Sequence, residues 1–485
     1  MKTYNKGIKT KKRERKDKIN KKNKKTRYGG RAIASGSYGC VFDPAIKCAN
    51  SEIPYNNKNI AKLMFTKETE SELIEMAKVK KIIDRIPNKD HYFLLSNTYQ
   101  CKPDKLTEED LVTFDKKCRL FTKRNINSTN VNKEEILSSL SLIVMPNGGL
   151  NIDKIIQAIL QLPEKDMYKT LIDVNKALIE LLVNGIVPLT AMNFNHYDIK
   201  SGNILMSDDG HARLIDWGLS GENDGTHVPE TIQDRSIAFN MPFSGIFFNN
   251  FVKKWLPTEM SKIKGSKILK NKASGQSELL KIVATNMINE SIAKTSEGHF
   301  GYITSNILHD IYKIYAIKNE YNRIDYNVLS YNVLIEYIEA VLLKYVDENG
   351  NFNDVNYFYE VFTKNVDIWG FLLAYVPIIE FGAAIFHHDI INTVCRILLK
   401  YCFSPEFATK PIIVSELVME LESLTDVINE RIMKSQSRKI VPIRKPSPSQ
   451  IRKQLHNNKP LTIGRPMAMS MPTQTQTFGT NELSL

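Results

Sequence analysis

The sequence predicts an α+β protein, with strands in its N-terminal third, helices after them and a long helical insertion in the second part. Three observations predict it. Short β-prone segments lie at 33–42, 59–65 and 142–150, the first and last carrying glycines. Amphipathic helical stretches follow at about 68–86 and 169–187, with apolar residues recurring at helical spacing. From 243 to 366 the chain is rich in Tyr, Asn, Lys and Ile and reads as helical.

The domain plan follows from charge. Residues 1–28 carry 14 Lys/Arg against Glu14 and Asp17, and residues 434–485 carry 9 against Glu482. Of the total of +13, this leaves −7 for the body at 29–433, so the basic character belongs to two appendages. The arm has almost no core-forming residues, and the tail is Pro-, Ser-, Gln- and Thr-containing without periodicity; both are expected to be disordered. A basic arm of this kind suits nucleic acid, an acidic membrane surface or a nuclear import receptor. Ser447 and Ser449 in the tail are candidate phosphorylation sites. Within the body the expected division is 29–147, 148–433 and the insertion 243–366.

With 42% apolar and 25% charged residues, the composition is that of a soluble globular protein. No apolar segment follows the opening Met-Lys-Thr-Tyr, so no secretory signal is expected. The most hydrophobic run, 371–386, contains Pro377 and Glu380 and reads as a buried helix, too short to span a bilayer. Six cysteines (40, 48, 101, 118, 395 and 402) form no CxxC or Cys/His pattern. Reduced thiols in an intracellular compartment, and no structural zinc, are the expectation.

The candidate chemistry centres on His196-Tyr-Asp-Ile-Lys-Ser-Gly-Asn-Ile-Leu and Leu214-Ile-Asp-Trp-Gly. Phosphoryl transfer from ATP needs a carboxylate to orient the attacking hydroxyl and hard oxygen ligands to hold Mg²⁺ on the phosphates. Asn203 and Asp216 fit the metal role, which leaves Asp198 as base. Upstream, Gly36, Ser37 and Gly39 form the tip of a hairpin able to approach phosphates closely. Lys62, flanked by apolar residues on the next strand, needs a carboxylate partner. The following helix offers Glu75, whose offsets to Val79, Ile82, Ile83 and Ile86 make the better apolar stripe, with Glu72 as runner-up. The strand at 142–150 breaks at Pro146-Asn-Gly and suits a hinge that grips adenine by backbone groups, with Gly148 as donor. Asp367, before a strongly apolar helix, is either an N-cap or a buried carboxylate accepting amides from another loop.

These motifs resemble the eukaryotic-type serine/threonine protein kinase family over roughly 30–400. The loop Ser-Tyr-Gly-Cys-Val-Phe, the segment Phe239-Asn-Met-Pro-Phe and the long insertion are similar to the divergent kinases of giant DNA viruses of the mimivirus type. The resemblance implies a bilobal kinase-like fold with ATP and Mg²⁺, acting on protein hydroxyls in the host cytoplasm or virion, or in the nucleus if the basic arm directs it there. It implies Ile33, Gly36, Ser37, Gly39 and Val41 around the nucleotide, Lys62 with Glu75, and Met145 and Gly148 at the hinge. Asp198 becomes the base, Lys200 the residue steadying the transferred phosphate, Asn203 and Asp216 the metal ligands, and Asp367 with Trp369 the anchor of the catalytic loop. The spacing of five from Asp198 to Asn203 matches the family motif.

The chain also departs from the family. Ala34 stands at the first loop glycine, Tyr197 precedes the catalytic aspartate where an arginine is usual, and Trp217 replaces the phenylalanine after Asp216. Ala238-Phe-Asn-Met-Pro-Phe-Ser replaces Ala-Pro-Glu. The competing expectation is a nucleotide-binding scaffold without turnover. Asp347-Glu-Asn-Gly carries its glycine at loop position four, where a calcium loop has it at six, and is read as a turn. His387-His388 is read as a surface or helix-capping pair.

Overall fold

The computed structural model describes residues 30–36, 39–50, 55–264, 273–319, 325–347 and 349–438. The arm 1–28, Ser37 and the tail beyond 438, with Ser447 and Ser449, lie outside the described residues. The chain divides into two units, Met1–Ile432 and Met433–Leu485; of the second, only the end of the helix Val414–Arg438 is described.

The fold is mixed α+β, with a small antiparallel sheet in the N-terminal part and helices after it. The sheet joins β1 (Arg31–Ser35), β2 (Gly39–Asp43), β3 (Asn59–Phe65), β4 (Tyr99–Cys101) and β5 (Leu140–Pro146) in the order β1-β2-β3-β5-β4. In β5, residues 140–144 are all buried, so this strand is covered on both faces and reads as a continuous apolar run. One face of the sheet packs Phe42, Leu63 and Leu142 against Phe114, Phe121 and Val131. These last come from 102–139, a stretch of short helices that had no predicted structure. Fully burying side chains of this size contributes about 1.5–3 kcal/mol each.

Two disulfides tie the same region together, Cys40–Cys118 and Cys48–Cys101, with Cα atoms 5.2 and 5.7 Å apart. This corrects the expectation of six reduced thiols. The paired residues are 78 and 53 positions apart in sequence, so no local spacing announces them. Cys395 and Cys402 are free and buried.

The helical part is built around Glu164–Leu181, in which Leu171, Val174, Leu178 and Leu181 are buried at helical spacing. Buried Asn175 joins two further helices to it. Its Nδ2 donates to the Leu421 carbonyl (2.8 Å), and its Oδ1 accepts from the Tyr375 hydroxyl (2.8 Å). Beside these helices, β6 (Leu150–Asn151), β8 (Ile204–Met206) and β9 (Ala212–Leu214) form a small antiparallel sheet in that order, and β7 (Phe194–Asn195) pairs with β10 (Gly221–Glu222). Among the described residues one helical run, Asp354–Gly382, is long and apolar enough to cross a membrane, but 89% of its most apolar window is buried inside the fold. Of the run 371–386, expected as one buried helix, 371–379 is core, but a turn breaks it at 374–375 and residues 380, 381 and 383–385 are exposed.

The insertion is built into that core. Tyr337, on the helix Tyr326–Tyr345, meets Trp369 edge to face at 5.6 Å and Phe243 at 5.4 Å. The Asp347 turn closes by amides of Asn349 and Asn351 donating to its Oδ1, with Gly350 at a φ of +83°. His387 caps the helix His388–Tyr401 through Nδ1, and Asp389, the third member of that cluster, is ion-paired with Arg431.

Candidate active site

The sheet supplies the first cluster. Val41 and Lys62 are register partners on β2 and β3 and so share a face. Lys62 Nζ lies 2.7 and 2.6 Å from the two Glu72 oxygens. Glu75, the expected partner, instead reaches Lys78 at 2.8 Å, with both side chains about two-thirds exposed. The correction has a geometric cause. The helix is Thr66–Ile83, and its buried residues are Thr69, Val79 and Ile83. At 3.6 residues per turn Glu72 lies near the centre of that stripe, while Glu75 is rotated about 70° from it. Ile86, which biased the expected stripe toward Glu75, lies beyond the helix end.

Around this pair, Ile33 sits at a bulge between β1 and β2 and is exposed. Gly36 closes the hairpin, its amide donating to the Gly39 carbonyl at 2.9 Å. Gly39 is required by crowding: a Cβ there would stand 2.7 Å from the Leu63 carbonyl oxygen. Its role is the close approach of β2 to β3. At the end of β5, Met145 is half-buried opposite Ile60. Gly148 is buried where a Cβ would meet Leu94 and Leu205 at under 3 Å, and its amide has no acceptor among the described residues. The Pro146–Gly149 turn therefore rests on β8, the strand that leaves the second cluster.

That cluster is the loop 196–203. Asp198 is held on both carboxylate oxygens: Lys200 Nζ (2.8 Å) and Asn203 Nδ2 (3.0 Å) donate to one, and Asn240 Nδ2 (2.9 Å) donates to the other. Asn203 also donates to the Asp198 carbonyl at 2.9 Å. Both amide hydrogens are thereby spent, which leaves Oδ1 as an open acceptor. The Ile215 amide donates to the Asn203 carbonyl at 3.0 Å, setting Asp216 beside this loop. Asp216 has a φ of +67°, is exposed, and has no partner among the described residues. An open amide oxygen and an unpaired carboxylate are the hard donors that a small divalent cation takes.

Beneath the loop, Asp367 is buried inside the helix Thr363–Leu373. It accepts the amides of His196 (2.8 Å) and Tyr197 (2.9 Å) and Asn195 Nδ2 (3.0 Å). Of the two expected roles, the buried acceptor is the one observed. Burial raises the Asp367 pKa and lowers that of His196, each opposed by the attraction between them. The His196 ring accepts the Asp198 amide at Nδ1 and meets the Ile215 carbonyl through Nε2 (3.0 Å), the pattern of a neutral imidazole protonated at Nε2. Trp369 Nε1 donates to the Phe239 carbonyl at 2.9 Å. Gly370 lets this helix approach, since a Cβ there would lie 2.4 Å from the Ile199 carbonyl oxygen.

Tyr197 and Trp217 are fixed by other contacts. The Tyr197 hydroxyl donates to Asn223 Oδ1, and Asn223 Nδ2 donates to Asn195 Oδ1 at 2.7 Å. The segment after Asp216 is therefore tied to the loop by a neutral, buried ladder. Trp217 packs on His196 at 4.6 Å with its indole N–H buried and unpartnered. Sequence reasoning assigned no role to Asn240, which fixes Asp198. Its only signal was its place in the segment that replaces Ala-Pro-Glu. No protein-family model matches the chain.

Proposed function

We propose that this chain is an ATP-dependent phosphotransferase that moves the γ-phosphate of ATP to serine or threonine hydroxyls of proteins, within a kinase-like bilobal fold. The observation that carries this reading is the fixed Asp198 carboxylate, with an open Asn203 oxygen and a free Asp216 carboxylate beside it. Lys62, paired with Glu72, is a cation on the sheet face below Val41, suited to the α- and β-phosphates. The buried Gly148 amide is a donor for an adenine edge, and Val41 with Ile33 offers apolar cover.

The residues would act together as follows. Asp216 and Asn203 Oδ1 would hold Mg²⁺, which when bound neutralises charge on the phosphates. Asp198 orients the acceptor hydroxyl and receives its proton as the oxygen attacks the γ-phosphorus, while the bond to the ADP oxygen breaks. Lys200, already on Asp198, offsets negative charge on the transferred group. Asn240 and Asn203 restrict the carboxylate to one rotamer, so little reorganisation is needed at the moment of transfer.

The test is γ-phosphate transfer from Mg²⁺-ATP to a mixed protein acceptor, with Asp198→Ala as control. Transfer is expected for the native chain and a loss of at least about 100-fold in the variant. Equal, background-level signal from both, with ATP binding intact, would establish the scaffold reading.

A further inference from the structure

The acceptor side of Asp198 carries a charge arrangement that the phosphotransfer reading does not use. Arg235 lies half-buried in the segment after Asp216, and its Nη1 donates to the Tyr197 carbonyl at 3.2 Å, one residue before Asp198. A guanidinium has five N–H donors, and among the described residues no carboxylate pairs with this one. The acid next to it in sequence is turned away: Asp234 accepts the Asn250 amide and Nδ2, both at 2.7 Å. Burial pulls the Arg235 guanidinium below its ordinary pKa, and Asp198 is the one charge that opposes this. A desolvated cation held near a catalytic carboxylate without an anion of its own is costly unless a ligand supplies one.

Arg235 also borders a small pocket, about the size of one water, whose other walls include Ile237, Met241, Pro242 and Phe243. The insertion completes the surroundings. The His299 amide donates to the Ile237 carbonyl at 2.8 Å, and its ring stands edge-on to Phe239 at 5.1 Å. Ser296 Oγ meets Ser236 Oγ at 2.9 Å. Burial, then Lys200 and Arg235, hold the His299 imidazole below its ordinary pKa, with Asp198 opposing, so His299 shares the field of both cations. Lys200 on Asp198 and Arg235 on the Tyr197 carbonyl thus stand to either side of one loop, with the neutral His299 ring against the segment that carries Arg235.

Building on the phosphotransfer reading, we propose that the acceptor is an anionic polypeptide segment, with an acidic side chain or a phosphoryl group within about three residues of the hydroxyl, bound by Arg235 with a hydrogen bond from His299. The body as a whole carries −7, so this basic patch is a local feature of the site. The chain's own tail, with Lys445 beside Ser447 and Ser449, has the opposite charge and is a poor acceptor.

The experiment measures kcat/KM of the full chain on matched serine peptides flanked by Asp, phosphoserine, Asn or Lys, with Mg²⁺-ATP hydrolysis recorded alongside. The Asp or phosphoserine peptides are expected to exceed the Lys peptides by about tenfold or more, and the two anionic arms separate carboxylate from phosphate recognition. Arg235→Gln should compress the anionic-to-Lys ratio to below about threefold. His299→Gln, whose imidazole makes no hydrogen bond among the described residues, should compress it in part and carries the test if the arginine variant fails to fold.

Lys- or Asn-flanked peptides used as well as the anionic ones would overturn the proposal, as would a ratio unchanged in both variants. An equal loss on every peptide in Arg235→Gln would place that residue on the nucleotide and overturn it too. If neither hydrolysis nor transfer to any acceptor occurs, the phosphotransfer reading itself falls, a result distinct from transfer without charge preference.

Discussion

Whether Glu72 or Glu75 meets Lys62 turns on a rotation of less than a quarter turn of one helix. Both carboxylates precede the same apolar residues, and the choice depends on which of those are buried. Thr69, Val79 and Ile83 are; Ile82 is only half-buried. A threonine is not counted as apolar in a sequence pattern, yet Thr69 is fully covered, its hydroxyl returned to the Phe65 carbonyl at 3.0 Å. That is why the helix phase was misread. By contrast the nearness of Asp198, Lys200 and Asn203 was legible, because they share a loop of a few residues, while the distant bonds that hold that loop, from Asn240 and Asp367, were not all so. The expected consequence of the Glu72 pairing is a difference between two conservative variants. Glu72→Gln should lower kcat/KM for Mg²⁺-ATP by about 10- to 100-fold, since it leaves a partly buried ammonium without its counter-charge. Glu75→Gln, on the exposed side, should stay within about twofold. Steady-state kinetics of ATP use decides it, and a larger loss in the Glu75 variant would reverse the assignment.

At the scale of elements, strands and helices follow alternation and 3.6-residue spacing, and those placed by such patterns were found where expected: β2, β3, β5 and the helices after them. What pattern did not disclose is how the short helices of 102–139 close over the sheet. Their apolar residues are few per turn, and their position depends on bonds formed across long stretches of chain. Cys40 on β2 and Cys118, between two of these helices, are one such bond, and Cys48–Cys101 is another. Cys40 directly follows Gly39, whose close contact with β3 fixes the hairpin of the glycine loop. Loss of the Cys40–Cys118 bridge should therefore loosen both the 102–139 cover and that hairpin. A cross-link closing a loop of this length stabilises by about 2–4 kcal/mol, mainly through the unfolded chain. The double variant Cys40→Ala/Cys118→Ala should unfold at correspondingly lower denaturant, with a larger m-value because the uncrosslinked unfolded chain exposes more surface, and reductant should act on the native chain in the same direction. A native chain whose midpoint ignores reductant would show that these thiols are not paired in solution.

For the whole molecule, the long segment 243–366 was legible as helical, but the surface it packs on was not. Sequence tells how much apolar surface a segment has without saying which surface it meets. Val333, Leu334, Tyr337, Ile338, Val341 and Leu342 are buried along Tyr326–Tyr345, and Tyr337 with Phe243 forms an aromatic cluster on Trp369. Trp369 lies two residues from Asp367 on the helix that fixes the amides of His196 and Tyr197. The insertion thus supports the loop 196–203 from behind, and through His299 it reaches the segment 235–240. Excising 250–345 should consequently remove the native state. The expected product retains helical far-UV signal but loses near-UV structure and binds hydrophobic dye, as a chain does when specific packing is gone. A graded version uses one side chain. Tyr337→Ala removes a fully buried ring and should cost about 3–5 kcal/mol, whereas Ile282→Ala, half-exposed on the helix Ala273–Lys294, should cost less than about 1 kcal/mol. Denaturant unfolding of the three proteins separates the cases. An excised chain that melts cooperatively near the native midpoint would show that the segment is an independent addition to a core that stands without it.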